Sequence, residues 1–151
     1  MSVSASATDQ AKAARVASRQ LQSLSTSERD RLLKNIASSL EKNASEIMRS
    51  NAEDIEAATN SSDVDQNLVA RLKLSSQKIA NLSNGLRALS EMEEPIGKVL
   101  ERTEIANGLD LSKVTSPLGV LLIIFESRPD ALVQICGLCI RTGNGLLLKG
   151  G

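Results

Sequence analysis

A single arginine follows an apolar run, at a place where a protein could bind an anion. Arg128 lies in the polar string Glu126-Ser-Arg-Pro-Asp, directly after the Val- and Ile-rich run Leu118 to Phe125. Such a run is typical of a strand buried on both faces, as in a parallel sheet, and ligands bind at the carboxyl edge of such sheets. A guanidinium there can hold a carboxylate or phosphate bidentately. The alternative is that Arg128 forms an ion pair with Glu126 or Asp130.

A lysine with two glycines occupies the matching position after a second apolar run. The run Leu146 to Leu148 leads into Lys149, Gly150 and Gly151. Glycines let a ligand approach the backbone closely, and a lysine can meet a phosphate as a point charge. The alternative is a solvated lysine in an ordinary turn.

Two cysteines, Cys136 and Cys139, are the remaining candidates for chemistry. A reactive CxxC pair sits where a helix amino terminus lowers the pKa of a thiol, whereas this pair follows about two turns of an apolar helical pattern. We therefore interpret both as buried small hydrophobes of a protein in a reducing compartment. The sequence contains no histidine, which excludes imidazole catalysis within it, and we predict no metal site.

A strand, a helix and a second strand must position the two cations. Pro129 suits the first turn of a helix, and apolar residues recur at helical spacing from Ala131 to Arg141 before Thr142-Gly-Asn-Gly ends the pattern. Residues 118–148 are therefore predicted to form a right-handed βαβ unit.

The preceding residues are predicted to form four helices and a hairpin. Ser25 to Glu28 has the pattern of a capping box, residues 68–72 are ambiguous, and the charged residues outside the candidate site are expected to be solvated. Asn107-Gly108 lies between alternating runs and predicts a type I′ turn, in which both residues have positive φ. The apolar face predicted for the first helix consists of Ala13, Val16, Ala17, Leu21 and Leu24.

Charge and composition exclude several classes of protein. The 151 residues carry 18 basic and 18 acidic side chains, so no basic field argues for a nucleic-acid partner. No apolar run approaches the length of a membrane span, and the first eight residues match neither a secretory signal nor a typical transit peptide. We expect a cytoplasmic protein, with a plastid as the alternative location.

Several strings closely resemble the γ-glutamyl phosphate reductases of the aldehyde dehydrogenase superfamily. They are Pro117-Leu-Gly-Val, Glu126-Ser-Arg-Pro-Asp, Gly143-Asn-Gly, Lys149-Gly-Gly and the upstream PIGKVLERTEIANGLDL. Two segments, SPLGVLLIIFESRPDALVQI and MEEPIGKVL, are especially similar to the reductase half of the bifunctional Δ1-pyrroline-5-carboxylate synthases of plants. The resemblance runs from about Ala11 to Gly151. It implies an α/β fold with a helical segment (1–94), a β-hairpin arm (95–116) and the first βαβ unit of an incomplete Rossmann-type domain (117–151).

The resemblance implies NADPH-dependent reduction of L-glutamate 5-phosphate to L-glutamate 5-semialdehyde, with release of phosphate, in proline biosynthesis. By similarity, Phe125, Glu126 and Ser127 line the nicotinamide side of the pocket. Lys149, Gly150 and Gly151 lie near the adenosine ribose and its 2′-phosphate. Arg128 contacts the acyl phosphate or the developing oxyanion.

One feature of the family is missing from the 151 residues. The family's nucleophilic cysteine lies downstream of the lysine and glycines that match Lys149-Gly-Gly, and neither Cys136 nor Cys139 matches its motif. We therefore expect a fragment that is inactive alone and whose sheet has open edges and an exposed apolar face. The resemblance also implies a homo-oligomer formed through the hairpin arm. The alternative is a non-catalytic module that associates with the full-length synthase.

Overall fold

The computed structural model describes residues 6–60 and 65–150, so Gly151 lies outside the described residues. Five helices are followed by an antiparallel hairpin and then by a strand, a helix and a strand. The helices are α1 (Ala7–Ser23), α2 (Thr26–Lys42), α3 (Ala44–Thr59), α4 (Gln66–Leu72), α5 (Ser76–Glu91) and α6 (Pro129–Thr142), and the strands are β1 (Val99–Ala106), β2 (Leu109–Val114), β3 (Val120–Phe125) and β4 (Gly145–Gly150).

The ambiguous segment forms α4, so the prediction of four helices before the hairpin was one helix short. Asp65 caps α4 through a hydrogen bond from the Asn67 N–H at 2.9 Å. Seven residues are too few for the periodicity of the sequence to separate a helix from a strand. Within the described ranges, no helix is both long and apolar enough to cross a membrane.

The core lies between α2, α5 and α6. Leu33 and Ala37 of α2 and Leu86 of α5 are buried together. Gly137 brings α6 close, because a Cβ at this position would lie 2.6 Å from Cδ2 of Leu86. The Ser83 hydroxyl is also buried and donates to the carbonyl oxygen of Ala37 at 3.2 Å.

The face of α1 that packs against the sheet differs from the predicted one. Ala14 and Ser18 are buried, whereas Val16 is 56% exposed. The reason is close approach: a Cβ on Gly145 of β4 would lie 2.4 Å from the carbonyl oxygen of Ala14. Small side chains therefore face the sheet, and the Ser18 hydroxyl donates to the Gly119 carbonyl oxygen at 2.9 Å.

The predicted hairpin is present, but its turn is not type I′. β1 and β2 pair antiparallel, with Ala106 opposite Leu109, and every residue of both strands is exposed. Gly108 has a φ of 77°, whereas Asn107 does not have a positive φ. A bulge between Glu104 and Ala106 alters the register beside the turn, so one left-handed residue suffices to reverse the chain.

The βαβ unit forms with parallel strands, as predicted. Val120 pairs with Gly145 and Phe125 with Gly150. The expectation that β3 is buried on both faces is wrong within this chain. Leu122 and Ile124 are 61% and 70% exposed, because no described element covers the half of the sheet face on which they lie. The predicted open edges and exposed apolar face are therefore observed.

Two arginines contradict the expectation that charges outside the candidate site are solvated. Arg29 of α2 is 4% exposed and Arg141 of α6 is 3% exposed. Arg29 pairs with Glu94 at 2.7 Å, and Arg141 pairs with Asp30 at 2.6 Å. Both arginines lie on helix faces that pack against the rest of the chain, so burial requires these partners.

Candidate functional site

Parallel pairing of β3 and β4 brings the two candidate segments to one edge of the sheet. Ile124 lies opposite Lys149, and Phe125 lies opposite Gly150. Neighbouring strands are about 4.8 Å apart, so the turn that begins at Glu126 and the Lys149-Gly150 pair are neighbours. The sequence predicted a cation at the end of each strand of a βαβ unit, and the parallel pairing places these two ends at one edge.

The turn after β3 has an unusual backbone at Ser127. Ser127 has a φ of 52°, and it is the one non-glycine residue with positive φ in the described part of the chain. This left-handed conformation is costly for residues with a Cβ, and such residues cluster where function fixes the backbone. The turn leaves Ser127 half-buried between the exposed side chains of Glu126 and Arg128.

Arg128 lies at the amino terminus of α6, and its guanidinium has no partner among the described residues. It occupies the N-cap position without a side-chain cap hydrogen bond, and Pro129 follows at the first helical position, as predicted. Among the described residues, neither Glu126 nor Asp130 pairs with Arg128, so the alternative of a local ion pair is not realised. The positive end of the helix dipole adds to the charge of Arg128. This corner of the sheet therefore suits an anion.

Lys149 and Gly150 form the other side of the edge. The Lys149 ammonium is exposed and donates weakly to the Gly150 carbonyl oxygen at 3.4 Å. A Cβ added to Gly150 would meet no atom within 4 Å, so the backbone there is open to a ligand. Because paired residues of neighbouring strands share a face, Lys149 lies on the Ile124 face and Phe125 on the opposite one. The candidate residues thus surround the edge rather than line a single face.

The cysteines have the character of core residues. Both are free thiols, Cys139 buried and Cys136 half-buried. Burial raises the pKa of the Cys136 thiol, and burial together with the neighbouring Cys136 raises the pKa of Cys139. A raised pKa lowers the thiolate fraction on which nucleophilic attack depends. In the described ranges, no group of three or more His, Cys, Asp or Glu side chains could hold a metal ion.

A groove that the sequence did not predict lies beside the first residue of α6. It has a volume of about 390 Å³. Its floor contains Asn51, which is buried, donates to the Leu72 carbonyl oxygen at 2.9 Å and accepts from the Leu74 N–H at 2.8 Å. Apolar spacing in α3 gave no sign of this groove, since its other wall comes from Pro129. The lining residues are Glu46, Ile47, Ser50, Asn51, Asp54, Leu74 and Pro129.

The chain is similar in sequence and structure to known enzymes. The chain is 56% identical over 143 residues to Δ1-pyrroline-5-carboxylate synthase of Mesembryanthemum crystallinum. This alignment covers 95% of the chain and 20% of that protein. It is 46% identical over 142 residues to γ-glutamyl phosphate reductase of Synechococcus elongatus. This alignment covers 94% of the chain and 33% of that protein. The crystal structure of γ-glutamyl phosphate reductase from Saccharomyces cerevisiae superposes with a TM-score of 0.91 at 38% identity, covering 97% of the chain and 37% of the yeast chain.

The chain is homologous to part of the γ-glutamyl phosphate reductases. No family model matches it. It spans between 20% and 37% of the length of the relatives quoted above. The matched part contains the helices, the hairpin and the βαβ unit of the reductase fold, and with them the edge that carries Arg128 and Lys149.

Proposed function

We propose that the chain forms the cofactor-facing edge of a γ-glutamyl phosphate reductase that serves proline biosynthesis. In this reaction L-glutamate 5-phosphate is reduced with NADPH to L-glutamate 5-semialdehyde and phosphate. The observation that carries the proposal is that Arg128 and Lys149 both lie at the carboxyl edge of one parallel strand pair. The names of the relatives support the same reaction class.

Arg128 is the residue we assign to the substrate. Its guanidinium is exposed and has no partner among the described residues, and it lies at the positive end of α6. A free guanidinium at this point can bind the acyl phosphate or the oxygen that becomes negative when the acyl group is attacked. Ser127 fixes the direction of Arg128, because its left-handed backbone turns the chain between β3 and α6.

The residues present fit nicotinamide adenine dinucleotide phosphate. Gly150 offers an open backbone, and Lys149 offers an ammonium that no carboxylate neutralises in the described chain. Lys149 would hold the 2′-phosphate of the adenosine ribose, Gly150 would let the ribose approach, and Phe125 to Ser127 would line the nicotinamide side. When bound, NADPH supplies the hydride that reduces the acyl carbon.

The nucleophilic cysteine of the reaction is not assigned to Cys136 or Cys139. Both thiols lie on α6, where the pKa of each is raised by burial. We infer that the nucleophile comes from a part of the reductase fold that this chain does not match. The purified 151-residue chain is therefore expected to show no glutamate semialdehyde dehydrogenase activity, and turnover above background would contradict this inference.

A chimera tests the proposal directly. The chain replaces the matched region of the Synechococcus elongatus reductase, and NADP⁺ reduction is followed with glutamate 5-semialdehyde and phosphate as substrates. We expect an active chimera in which Arg128→Gln lowers kcat/KM by about 100-fold, as the loss of one charge-stabilising group does. Lys149→Met is expected to raise the KM for NADP⁺ by about tenfold and to leave the KM for NAD⁺ nearly unchanged.

Arg49→Gln is the matched control, since Arg49 is an exposed arginine of α3 whose one ion pair among the described residues is with Glu53. It should retain full activity. A folded chimera without activity, or equal activity of the Arg128→Gln and Arg49→Gln variants, would contradict the proposed role of this edge.

We also propose that the hairpin arm pairs with another subunit. Both faces of the arm are exposed, and six of its apolar side chains are 50% exposed or more. An exposed hairpin with free edges can add strands from a partner. In the active chimera, Leu111→Lys should lower the oligomeric state measured by light scattering. A separate experiment tests the alternative function: co-purification of the 151-residue chain with the full-length synthase would favour a non-catalytic module. The apolar residues are Val99, Leu100, Ile105, Leu109, Leu111 and Val114.

A further inference from the structure

The dipeptide Asn-Gly occurs three times in the chain, and each time a leucine follows it. The three segments are Asn84-Gly85-Leu86, Asn107-Gly108-Leu109 and Asn144-Gly145-Leu146. An asparagine before glycine is open to spontaneous deamidation, because the amide nitrogen of the next residue attacks the side-chain carbonyl carbon and glycine has no Cβ to obstruct it. Since the three segments have the same sequence, the fold must decide which of them reacts.

The fold protects two of the three pairs. Asn84 and Gly85 lie inside α5, where the helix fixes ψ and each N–H donates to the carbonyl oxygen four residues earlier. Asn144 is 6% exposed, and its Oδ1 accepts from the Gly119 N–H at 2.8 Å. The Gly145 N–H donates to the Gly119 carbonyl oxygen at 2.7 Å. Closing a ring at either pair would break these bonds, so both pairs should react slowly.

The third pair, in the turn between β1 and β2, is accessible. Asn107 and Gly108 are both exposed, and the Asn107 side chain has no hydrogen bond among the described residues. A Cβ added to Gly108 would meet no atom within 4 Å. The Gly108 N–H donates to a side chain, Oε1 of Glu104, at 3.2 Å. The attacking nitrogen therefore already contacts a group that can accept its proton.

We propose that Asn107 is a site of spontaneous deamidation and that the Glu104 carboxylate assists by accepting the Gly108 proton. The Gly108 nitrogen bonds to Cγ of Asn107, and the bond from Cγ to Nδ2 breaks. Glu104 passes the proton to the departing nitrogen, which leaves as ammonia. Water then opens the succinimide ring, giving aspartate if the new bond to Cγ breaks and isoaspartate if the original peptide bond breaks.

The modification adds negative charge to the end of the hairpin arm. Glu104 and Asp110 already lie opposite each other across the two strands, and like charges at opposite positions destabilise a strand pair. A third carboxylate at position 107 increases this repulsion, and isoaspartate also lengthens the backbone of the turn. The inference uses the hairpin alone and is independent of the proposed reductase chemistry.

Mass spectrometry of the 151-residue chain tests the selection among the three pairs. The folded chain is incubated in buffer, and the peptides that contain Asn84, Asn107 and Asn144 are quantified over time. We expect Asn107 to deamidate at least about tenfold faster than the other two, because an exposed turn opens more readily than a helix or a buried pair. In concentrated urea the three rates should converge, since the local sequences are the same.

Two variants of β1 test the role of the carboxylate. Glu104→Gln should slow deamidation of Asn107 by at least about tenfold, since a general base is lost. Glu101→Gln, at another exposed acid of the same strand, removes the same charge and should leave the rate unchanged. Amide exchange across the hairpin checks that both variants keep the arm.

Two results would overturn the proposal. One is an equal rate at the three pairs in the folded wild-type chain, a comparison that depends on no variant. The other is a Glu104→Gln variant with an intact hairpin in which Asn107 reacts as fast as in Glu101→Gln.

Discussion

The Nη2 atom of Arg29, in the first turn of α2, lies 2.7 Å from Oε2 of Glu94, in the segment between α5 and β1. The same oxygen accepts a hydrogen bond from the Thr26 hydroxyl at 2.6 Å, and Oε1 accepts from the Ile96 N–H at 3.0 Å. Glu94 is thus held by three donors while one buried guanidinium depends on it.

Arg141 also contacts the segment between α5 and β1. Its Nη1 donates to Oδ1 of Asp30 at 2.6 Å, and its Nη2 donates to the carbonyl oxygen of Met92. Among the described residues, the Nε atoms of Arg29 and Arg141 have no hydrogen-bond partner, so each guanidinium is held through its Nη atoms. Together the two side chains fix the segment from which the hairpin arm begins.

Glu94→Gln should lower the free energy of unfolding by about 3 kcal/mol, because it leaves the Arg29 charge buried without its counter-charge. Urea denaturation of the isolated chain measures this change. Glu53→Gln is the control: Glu53 pairs with Arg49 at 2.8 Å, but both side chains are more than 60% exposed, so its removal should cost less than about 1 kcal/mol. Equal losses in the two variants would show that burial of Arg29 does not depend on Glu94.

The same carboxyl makes stability depend on pH. Burial alone raises the pKa of Glu94, but hydrogen bonds from Thr26, the Ile96 N–H and Arg29 outweigh it, so its pKa is lowered. A lowered pKa in the folded state means that the stabilisation is complete above the ordinary value of about 4.3 and is lost as the pH falls through the folded value. As the pH is lowered below about 4.5, the urea concentration at the unfolding midpoint of the wild-type chain should decrease. Glu94→Gln should make this decrease smaller.

The pKa values of Glu28 and Glu41 are also lowered, chiefly by side-chain hydrogen bonds with Ser25 and Arg87. They act in the same direction, so some acid sensitivity should persist in the Glu94→Gln variant. A variant whose urea midpoint has the same pH profile as the wild type would contradict the role given to Glu94.

Local signals in the sequence predicted local structure well. The capping box of α2 forms as expected, with the Ser25 N–H donating to Glu28 at 2.8 Å and the Glu28 N–H donating to the Ser25 hydroxyl at 3.3 Å. Pro129 begins α6 because its missing N–H is not needed there. The βαβ order alone was sufficient to place Arg128 and Lys149 at one edge.

The burial of two arginines was not predicted, because it depends on partners that are distant in the sequence. Arg29 lies four residues before Leu33, and Arg141 lies four after Gly137, so each continues a buried helical face. That spacing could have indicated burial, but arginine is rarely buried without a partner, and the partners are far away in sequence. The groove beside Pro129 could not be predicted for the same reason, since no short-range pattern links α3 to α6.

Two glycines give a matched test of how closely α1 packs. Gly145→Ala should lower the free energy of unfolding by about 1–3 kcal/mol, because its Cβ would lie 2.4 Å from the Ala14 carbonyl oxygen, a backbone atom that cannot rotate away. Gly85→Ala, within α5, meets no atom within 4 Å and should raise it by about 0.5–1 kcal/mol through helix propensity. Urea denaturation of both variants checks the prediction, and a stabilised Gly145→Ala variant would contradict the close approach of α1 to β4.

Ser127 offers a final test, because its φ of 52° separates the demands of folding from those of the proposed site. Ser127→Gly removes the steric cost of the left-handed backbone but adds chain entropy, so the free energy of unfolding should change by less than about 1 kcal/mol. Ser127→Val places a β-branched side chain in that conformation and should lower it by about 1–2 kcal/mol.

In the Synechococcus elongatus chimera, the glycine variant should keep its stability yet lose activity, since a freer turn no longer fixes the direction of Arg128. Thermal unfolding and steady-state kinetics of the same preparations separate the two effects. If Ser127→Gly were fully active and more stable than the wild type, the left-handed backbone would be a cost of the turn with no part in positioning Arg128.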